Sequence, residues 1–231
     1  MNQANPNINA FFQDVKLFFE QQAELYGEDF SFPAVKKTVL VQPPRNLETL
    51  KQEVSQCKKC GLQTTRKNIV FGAGDPNAKL MLVGEAPGEA EDKLGAPFVG
   101  PAGDLLTNIL KAVNFTRDEI YITNILKCRP PENRDPKENE IKACTAYLWE
   151  QIELIKPKII LALGVFAGHT LLGTAEPLTA LRGKIHEKNG IPIMVTYHPA
   201  ALLKNTAWKR PTWEDVQLLR RKYDELIPTN R

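Results

Sequence analysis

KLMLVGEAPGEAED, residues 79–92, runs an unbroken apolar strand into a turn crowded with carboxylates. Leu80, Met81, Leu82 and Val83 do not alternate with polar residues, which is the pattern of a strand buried on both faces of a parallel sheet. The glycines that follow resemble a phosphate loop in outline. Glu85, Glu89, Glu91 and Asp92 argue against one, because anionic side chains would repel a phosphate. The chain also contains no G-x4-G-K-[ST] and no G-x-G-x-x-G, so nucleotide-binding and phosphoryl-transfer functions are poor readings.

Outward from this strand the pattern repeats. EIYITNIL (119–126), KIILALG (158–164) and PIMVTYHP (192–199) read as strands. PAGDLLTNILKAVN (101–114), ENEIKACTAYLWEQIELIK (138–156), FAGHTLLG (166–173) and WEDVQLLRRKYDEL (213–226) read as helices. Buried strands alternating with helices predict an α/β fold, a mainly parallel sheet with helices on both faces. In such sheets ligands bind beyond the C-terminal ends of the strands. That rule selects the loop after Val83, Asn124, Gly164 and His198.

Residues 1–46 read as an N-terminal extension and 47–231 as the main domain. FFQDVKLFFEQQAELYG (11–27) spaces its apolar residues as an amphipathic helix, and SFPAVKKTVLVQPPRN (31–46) as a Pro-rich linker. The extension is either a docked accessory helix or an arm for a protein partner. The chain carries a formal net charge of +3, which tolerates nucleic acid without demanding it. No apolar run is long enough to span a membrane, and the N-terminus lacks a signal-peptide pattern. A cytoplasmic protein with no membrane association is expected.

Cys57 and Cys60 form a C-x2-C pair, and Cys128 and Cys144 a C-x15-C pair. Four thiolates from two pairs suit a structural metal site, with zinc and an iron–sulfur cluster both open on spacing alone. The radical-generating C-x3-C-x2-C arrangement is absent. The site would pin the helix before Cys57 to the helix containing Cys144.

Several residues gather near the predicted strand ends. Phe98, in GAPFVGPAGDLL (95–106), is either a core aromatic or a stacking platform for a flat ring. Asn124 is either a turn cap or an amide offering a donor and an acceptor to a base edge. His198 is either structurally satisfied or a donor at the site. After it, Pro199, Ala200, Ala201, Leu202 and Leu203 could form an apolar wedge, with Lys204, Lys209 and Arg210 meeting a nucleic-acid backbone. The alternative is a short helix whose leucines face the core.

GEAPGEAED, GAPFVGPAGDLL, TNILKCRPP and TYHPAALL, together with the four cysteines, resemble the family 4 uracil-DNA glycosylases, the iron–sulfur branch of that superfamily. The resemblance covers roughly residues 47–226. It implies a three-layer α/β/α sandwich around a parallel four-stranded sheet, and a [4Fe–4S] cluster on Cys57, Cys60, Cys128 and Cys144. It implies that Phe98 stacks on a flipped uracil, Asn124 reads its edge, and His198 contacts its O2 side. Glu85 would help position the attacking water, and Glu91 would help exclude a thymine methyl. Ala86 and Gly88 belong to the same base-binding turn. Ala86 stands where the best-known branch has a water-orienting Asp, so Asp-based activation is unavailable. Pro199 to Leu203 would enter the minor groove.

The expected reaction is hydrolysis of deoxyuridine in single- or double-stranded DNA by a monomer, with water as nucleophile and backbone donors of the 84–88 turn assisting His198. CRPPENRDPKENE is short and lacks the histidine of the branch that attaches covalently to DNA, which implies turnover. The competing functions are excision of another deaminated base, such as hypoxanthine, and a non-catalytic zinc-stapled DNA-binding module. Glu89 and Asp92 are expected to be solvent-facing charges without a role.

Overall fold

A computed structural model describes residues 6–26 and 45–228. The chain divides into two units, with the boundary between residues 43 and 44. In the first, the expected helix is present as α1 (Pro6–Tyr26). Leu17 and Phe18 lie more than half exposed on it. The predicted linker lies outside the described residues up to residue 44.

The second unit opens with α2 (Leu47–Ser55). Asn46 caps it: its Oδ1 accepts from Thr49 N, and Thr49 Oγ1 accepts from Asn46 N. Such a cap satisfies two backbone donors that a helix start otherwise leaves orphaned. The chain continues through β1 (Ala73–Gly74), β2 (Leu80–Gly84), α3 (Glu89–Leu94), α4 (Pro101–Ala112), β3 (Tyr121–Asn124) and α5 (Glu138–Ile155). It then forms β4 (Ile159–Leu163), α6 (Val165–Leu172), α7 (Leu178–Leu181), β5 (Ile185–Lys188), β6 (Ile191–Thr196), α8 (Pro199–Lys204) and α9 (Lys209–Leu226).

The sheet order is β1-β3-β2-β4-β6-β5. The four central strands are parallel, as expected; the outer pairs, β1 with β3 and β5 with β6, are antiparallel. The sheet therefore has six strands among the described residues, not four. The edge strands were missed because neither carries an apolar run. β1 has two residues, and β5 is the half-exposed IHEK. One local signal was available: Asn189 and Gly190, both at positive φ, turn β5 into β6, and Asn-Gly is a strong hairpin signal.

Alternate side chains of each buried strand serve the two covering layers. Met81 and Val83 face a core shared with Leu50 and Val54 of α2, Leu148 and Ile152 of α5 and Leu171 of α6. Leu80 and Leu82 face the opposite core, with Leu106 and Leu110 of α4 and Val216 and Leu219 of α9. Each such side chain stabilises the fold by about 1.5–3 kcal/mol when fully buried. The result is an α/β/α sandwich, and its register aligns Gly84 with Asn124 and Leu163 with Thr196 at the C-terminal edge. Among the described residues no helix is long and apolar enough to cross a membrane.

Candidate active site

A cleft of about 590 Å³ opens at this edge. It is lined by Glu85, Ala86, Pro87 and Gly88 after β2, Glu91 of α3, Phe98, Asn124 at the end of β3, and His198, Ala200, Ala201 and Lys204 around α8. The candidates drawn from separate strand ends thus share one space. Pro130, Asn133, Arg134 and Asp135 complete its wall. Sequence reasoning assigned these four no role, although CRPPENRDP follows directly on a parallel strand end.

Glycines create the room. Gly84 lies opposite Asn124, and a Cβ there would fall inside contact distance of Asn124 Oδ1 and 2.7 Å from Phe98 Cζ. Gly103 plays the same part beneath the Phe98 carbonyl. Phe98 itself holds φ 52°, a left-handed conformation that costs a non-glycine residue on the order of 1–3 kcal/mol. The ring is 7% exposed, and its centroid lies 5.5 Å from that of His198 with the planes 30° apart. The ring is thus both packed and presented to the cleft.

Glu91 holds the two glycine-rich loops together. Its Oε2 accepts from Gly88 N at 3.2 Å, and its Oε1 accepts from Val99 N at 3.0 Å and Gly100 N at 3.1 Å. The Gly88 donor, one of the turn groups expected to face the ligand, is therefore engaged by Glu91. Asp92 is not solvent-facing as expected: it is 2% exposed, and its Oδ1 accepts from Lys67 N and Asn68 N. The helical twist of α3 carries Asp92 inward, whereas Glu89 stays outside and pairs with Lys93.

His198 caps α8, its Nδ1 accepting from Ala200 N at 3.1 Å. Burial pushes its pKa down to about 4, with Glu91 opposing the shift. The ring is consequently neutral at pH 7 with its proton on Nε2, a fixed uncharged donor. β6, which delivers it, is anchored where Thr196 Oγ1 donates to Asp215 Oδ2 at 2.7 Å; Arg182 forks onto the same carboxylate. Glu85 behaves oppositely. Burial, reinforced by Asp135, pushes its pKa up to about 7, so its carboxylate gains proton affinity near neutrality.

Asn124 is 2% exposed, and its Oδ1 is a buried side-chain acceptor that finds no hydrogen-bond partner among the described residues. A buried orphan acceptor costs about 1–3 kcal/mol, which a ligand N–H would recover. No hydroxyl or thiol side chain lines the cleft among the described residues.

The segment after His198 takes the short-helix form. Pro199 is buried at its first position, and Leu202 is 1% exposed with its side chain in the fold. Leu202 is thus unavailable as a wedge in this conformation, because the helical turn points it into the fold and leaves Leu203 on the solvent-facing side. Leu203 is 51% exposed.

The four cysteines line a second cavity together with Lys59, Arg66 and Lys127, and no carboxylate lines it. Arg66 Nη1 donates to Cys128 Sγ at 3.3 Å, and Lys127 N to Cys144 Sγ at 3.3 Å. Burial pushes the Cys128 thiol up and the Cys144 thiol up to about 11. Deprotonation there requires nearby positive charge, which a bound metal supplies most strongly. Among the described residues, no three Cys, His, Asp or Glu side chains converge tightly enough to hold a single metal ion. Four thiols around one cation-lined space nonetheless supply the donor chemistry of a thiolate-bound metal centre.

Fold and cleft together define the class. Residues 71–217 match the family model of the uracil DNA glycosylase superfamily. The chain is 46% identical over 184 residues to the type-4 uracil-DNA glycosylase of Sulfurisphaera tokodaii, spanning 76% of this chain and 84% of that one. It is 45% identical over 181 residues to the type-4 enzyme of Saccharolobus solfataricus, spanning 74% and 84%. It is 41% identical over 166 residues to that of Archaeoglobus fulgidus, spanning 68% and 83%. The chain belongs to the type-4 uracil-DNA glycosylase family.

Proposed function

We propose that this enzyme hydrolyses the N-glycosidic bond of deoxyuridine in DNA, releasing uracil and leaving an abasic site. The observation that carries the proposal is the orphaned Oδ1 of Asn124, buried beside Phe98 in a cleft that also holds a neutral histidine. Uracil N3–H is a donor suited to that oxygen, and cytosine offers no proton there. The type-4 relatives favour uracil over another deaminated base and over a non-catalytic module.

The flipped base stacks on Phe98 and pairs with Asn124. As the C1′–N1 bond breaks, negative charge grows on the uracil O2 side. His198 Nε2–H donates there, and its value lies in needing no reorganisation. Losing such a donor costs about 3–4 kcal/mol, or ~10²–10³ in rate. The low pKa of His198 keeps that donor uncharged, so what it offers the leaving anion is a hydrogen bond and not a formal charge. Water attacks C1′, oriented by Glu85 in its carboxylate form with Asp135 beside it. Glu91 shapes the pocket by holding the Gly88 and Val99 loops where a thymine methyl would intrude, with Ala86 on the same turn.

Leu203 fills the gap left in the duplex, and Ala200 and Lys204 face the DNA strand. Cys57, Cys60, Cys128 and Cys144 would hold a [4Fe–4S] cluster, which would supply a structural tie between the end of α2 and α5. The enzyme acts as a monomer in the cytoplasm, and residues 1–46 serve as an arm for a protein partner. Deleting residues 1–45 should leave excision intact and abolish partner capture; lost excision would show a docked cap instead.

The test is a gel assay on uracil-containing oligonucleotides, with alkaline cleavage of abasic sites. Asn124→Asp should weaken uracil selection. No cleavage by freshly purified, cluster-loaded wild-type protein would defeat the proposal.

A further inference from the structure

Lys127 carries the sole cationic side chain among the fully buried described residues; it is 1% exposed. Its ammonium donates to Thr123 Oγ1 at 2.7 Å, Asn124 O at 2.7 Å and Gln151 Oε1 at 2.6 Å. Three donors thus meet three acceptors, and none is a carboxylate. Burying an ammonium among neutral partners is costly, and an apolar side chain of similar length would spare that cost. The network around it is closed. Thr123 Oγ1 and Gln151 Nε2 each donate to Phe71 O at 2.9 Å, which sets the orientation of the Gln151 amide and leaves both acceptor atoms turned to the ammonium.

The placement of Lys127 is as informative as its bonds. Its backbone N–H donates to Cys144 Sγ, and Cys128 follows it in the chain. Gln151 lies on α5, two turns after Cys144. One side chain therefore joins the cysteine-bearing segments to the last carbonyl of β3. That carbonyl belongs to Asn124, whose own amide lines the cleft. Holding the carbonyl plane fixes the direction in which the Asn124 side chain leaves the backbone.

We propose that Lys127 is a positioning residue for Asn124, holding the amide against the base edge and coupling it mechanically to the cysteine-lined cavity. The inference rests on the base-reading role of Asn124. A misplacement of about 1 Å at such a contact costs ~10² in rate, so the ammonium acts on substrate selection without touching substrate.

A double-mutant cycle on the full, cluster-loaded chain tests it, with K127M, N124A and the pair. Two quantities are read: kcat/KM for uracil excision from single-stranded DNA, and affinity for the same strand carrying an abasic site, which has no base for Asn124 to hold. K127M should lower kcat/KM by about 10- to 100-fold and leave abasic-DNA affinity within about twofold. In the N124A background it should add less than about twofold, because coupled residues are non-additive. Additive losses, or an equal loss of abasic-DNA affinity, would overturn the proposal alone. If N124A excises uracil at the wild-type rate, the assignment of Asn124 falls and this inference with it. Should K127M not fold, T123V removes one of the three acceptors and takes its place in the cycle with the same expected outcomes.

Discussion

Gly84 and Asn124 face each other as register partners at the ends of β2 and β3, and the absence of a side chain on Gly84 is what lets the Asn124 amide and the Phe98 ring converge. A methyl group there would meet both. Gly84→Ala should therefore lower uracil excision by ~10² or more, since small displacements of a positioned group are that costly. The effect should be larger on excision than on affinity for abasic DNA. Wild-type kinetics in G84A would show that the two side chains need not lie so close.

Glu85 and His198 predict the pH profile. The raised pKa of Glu85, about 7, makes the carboxylate form available only as pH rises through neutrality. His198, lowered to about 4, stays neutral throughout that range. Single-turnover excision should show an acid limb near pH 7 that belongs to Glu85, and Glu85→Gln should flatten it while reducing the rate. The same shift has a stability consequence. A carboxyl whose pKa rises on folding weakens the fold as pH climbs from about 4.5 to 7, because the folded state then holds more protons than the unfolded one. E85Q should accordingly raise Tm at pH 8 more than at pH 4.5. A limb unchanged in E85Q would remove Glu85 from the chemistry.

Neighbouring leucines should separate cleanly. Leu203 is half exposed and Leu202 is buried. Leu203→Ala should cost about 10-fold in excision from duplex DNA and under about twofold from a single strand, where there is no stack to fill. Leu202→Ala should instead destabilise the protein by about 2–5 kcal/mol, read by denaturant titration. Equal losses on both substrates in L203A would rule out the wedge.

Cluster removal gives a fourth test. Purified protein should be brown and hold iron in about fourfold molar amount if the [4Fe–4S] assignment is right. Cys144→Ser should lose iron and lower Tm, since the tie through the thiolates between the end of α2 and α5 is then lost, leaving packing and the Arg45 bridge from Glu53 to Glu150. Arg66→Ala should retain iron but loosen it towards chelators, because the hydrogen bond onto Cys128 Sγ is lost. Colourless protein loaded with one zinc would defeat the assignment.

Much of this architecture was legible because burial writes itself into local patterns. LMLVG, IILAL and PIMVT lack polar alternation, and only strands covered on both faces can afford that. The rule that ligands lie at parallel strand ends singles out Asn124 and His198 from the sequence alone. The edge strands escaped because two residues of β1 and a half-exposed β5 carry no such pattern, although the Asn189–Gly190 turn did announce the hairpin.

By itself the sequence determined the order of the four central strands, the chemistry of the side chains at their ends and the spacing of the cysteines. Those depend on residue type and short-range spacing. Tertiary structure alone decided which partner each group meets. It turned Asp92 inward, sent Leu202 to the core and Leu203 to solvent, and closed Glu91 onto two loops. It brought Asp135 beside Glu85, and Lys127 beneath Asn124. Contacts between residues distant in sequence, and the desolvation that sets a pKa, arise only when the layers pack, so no local pattern could have encoded them.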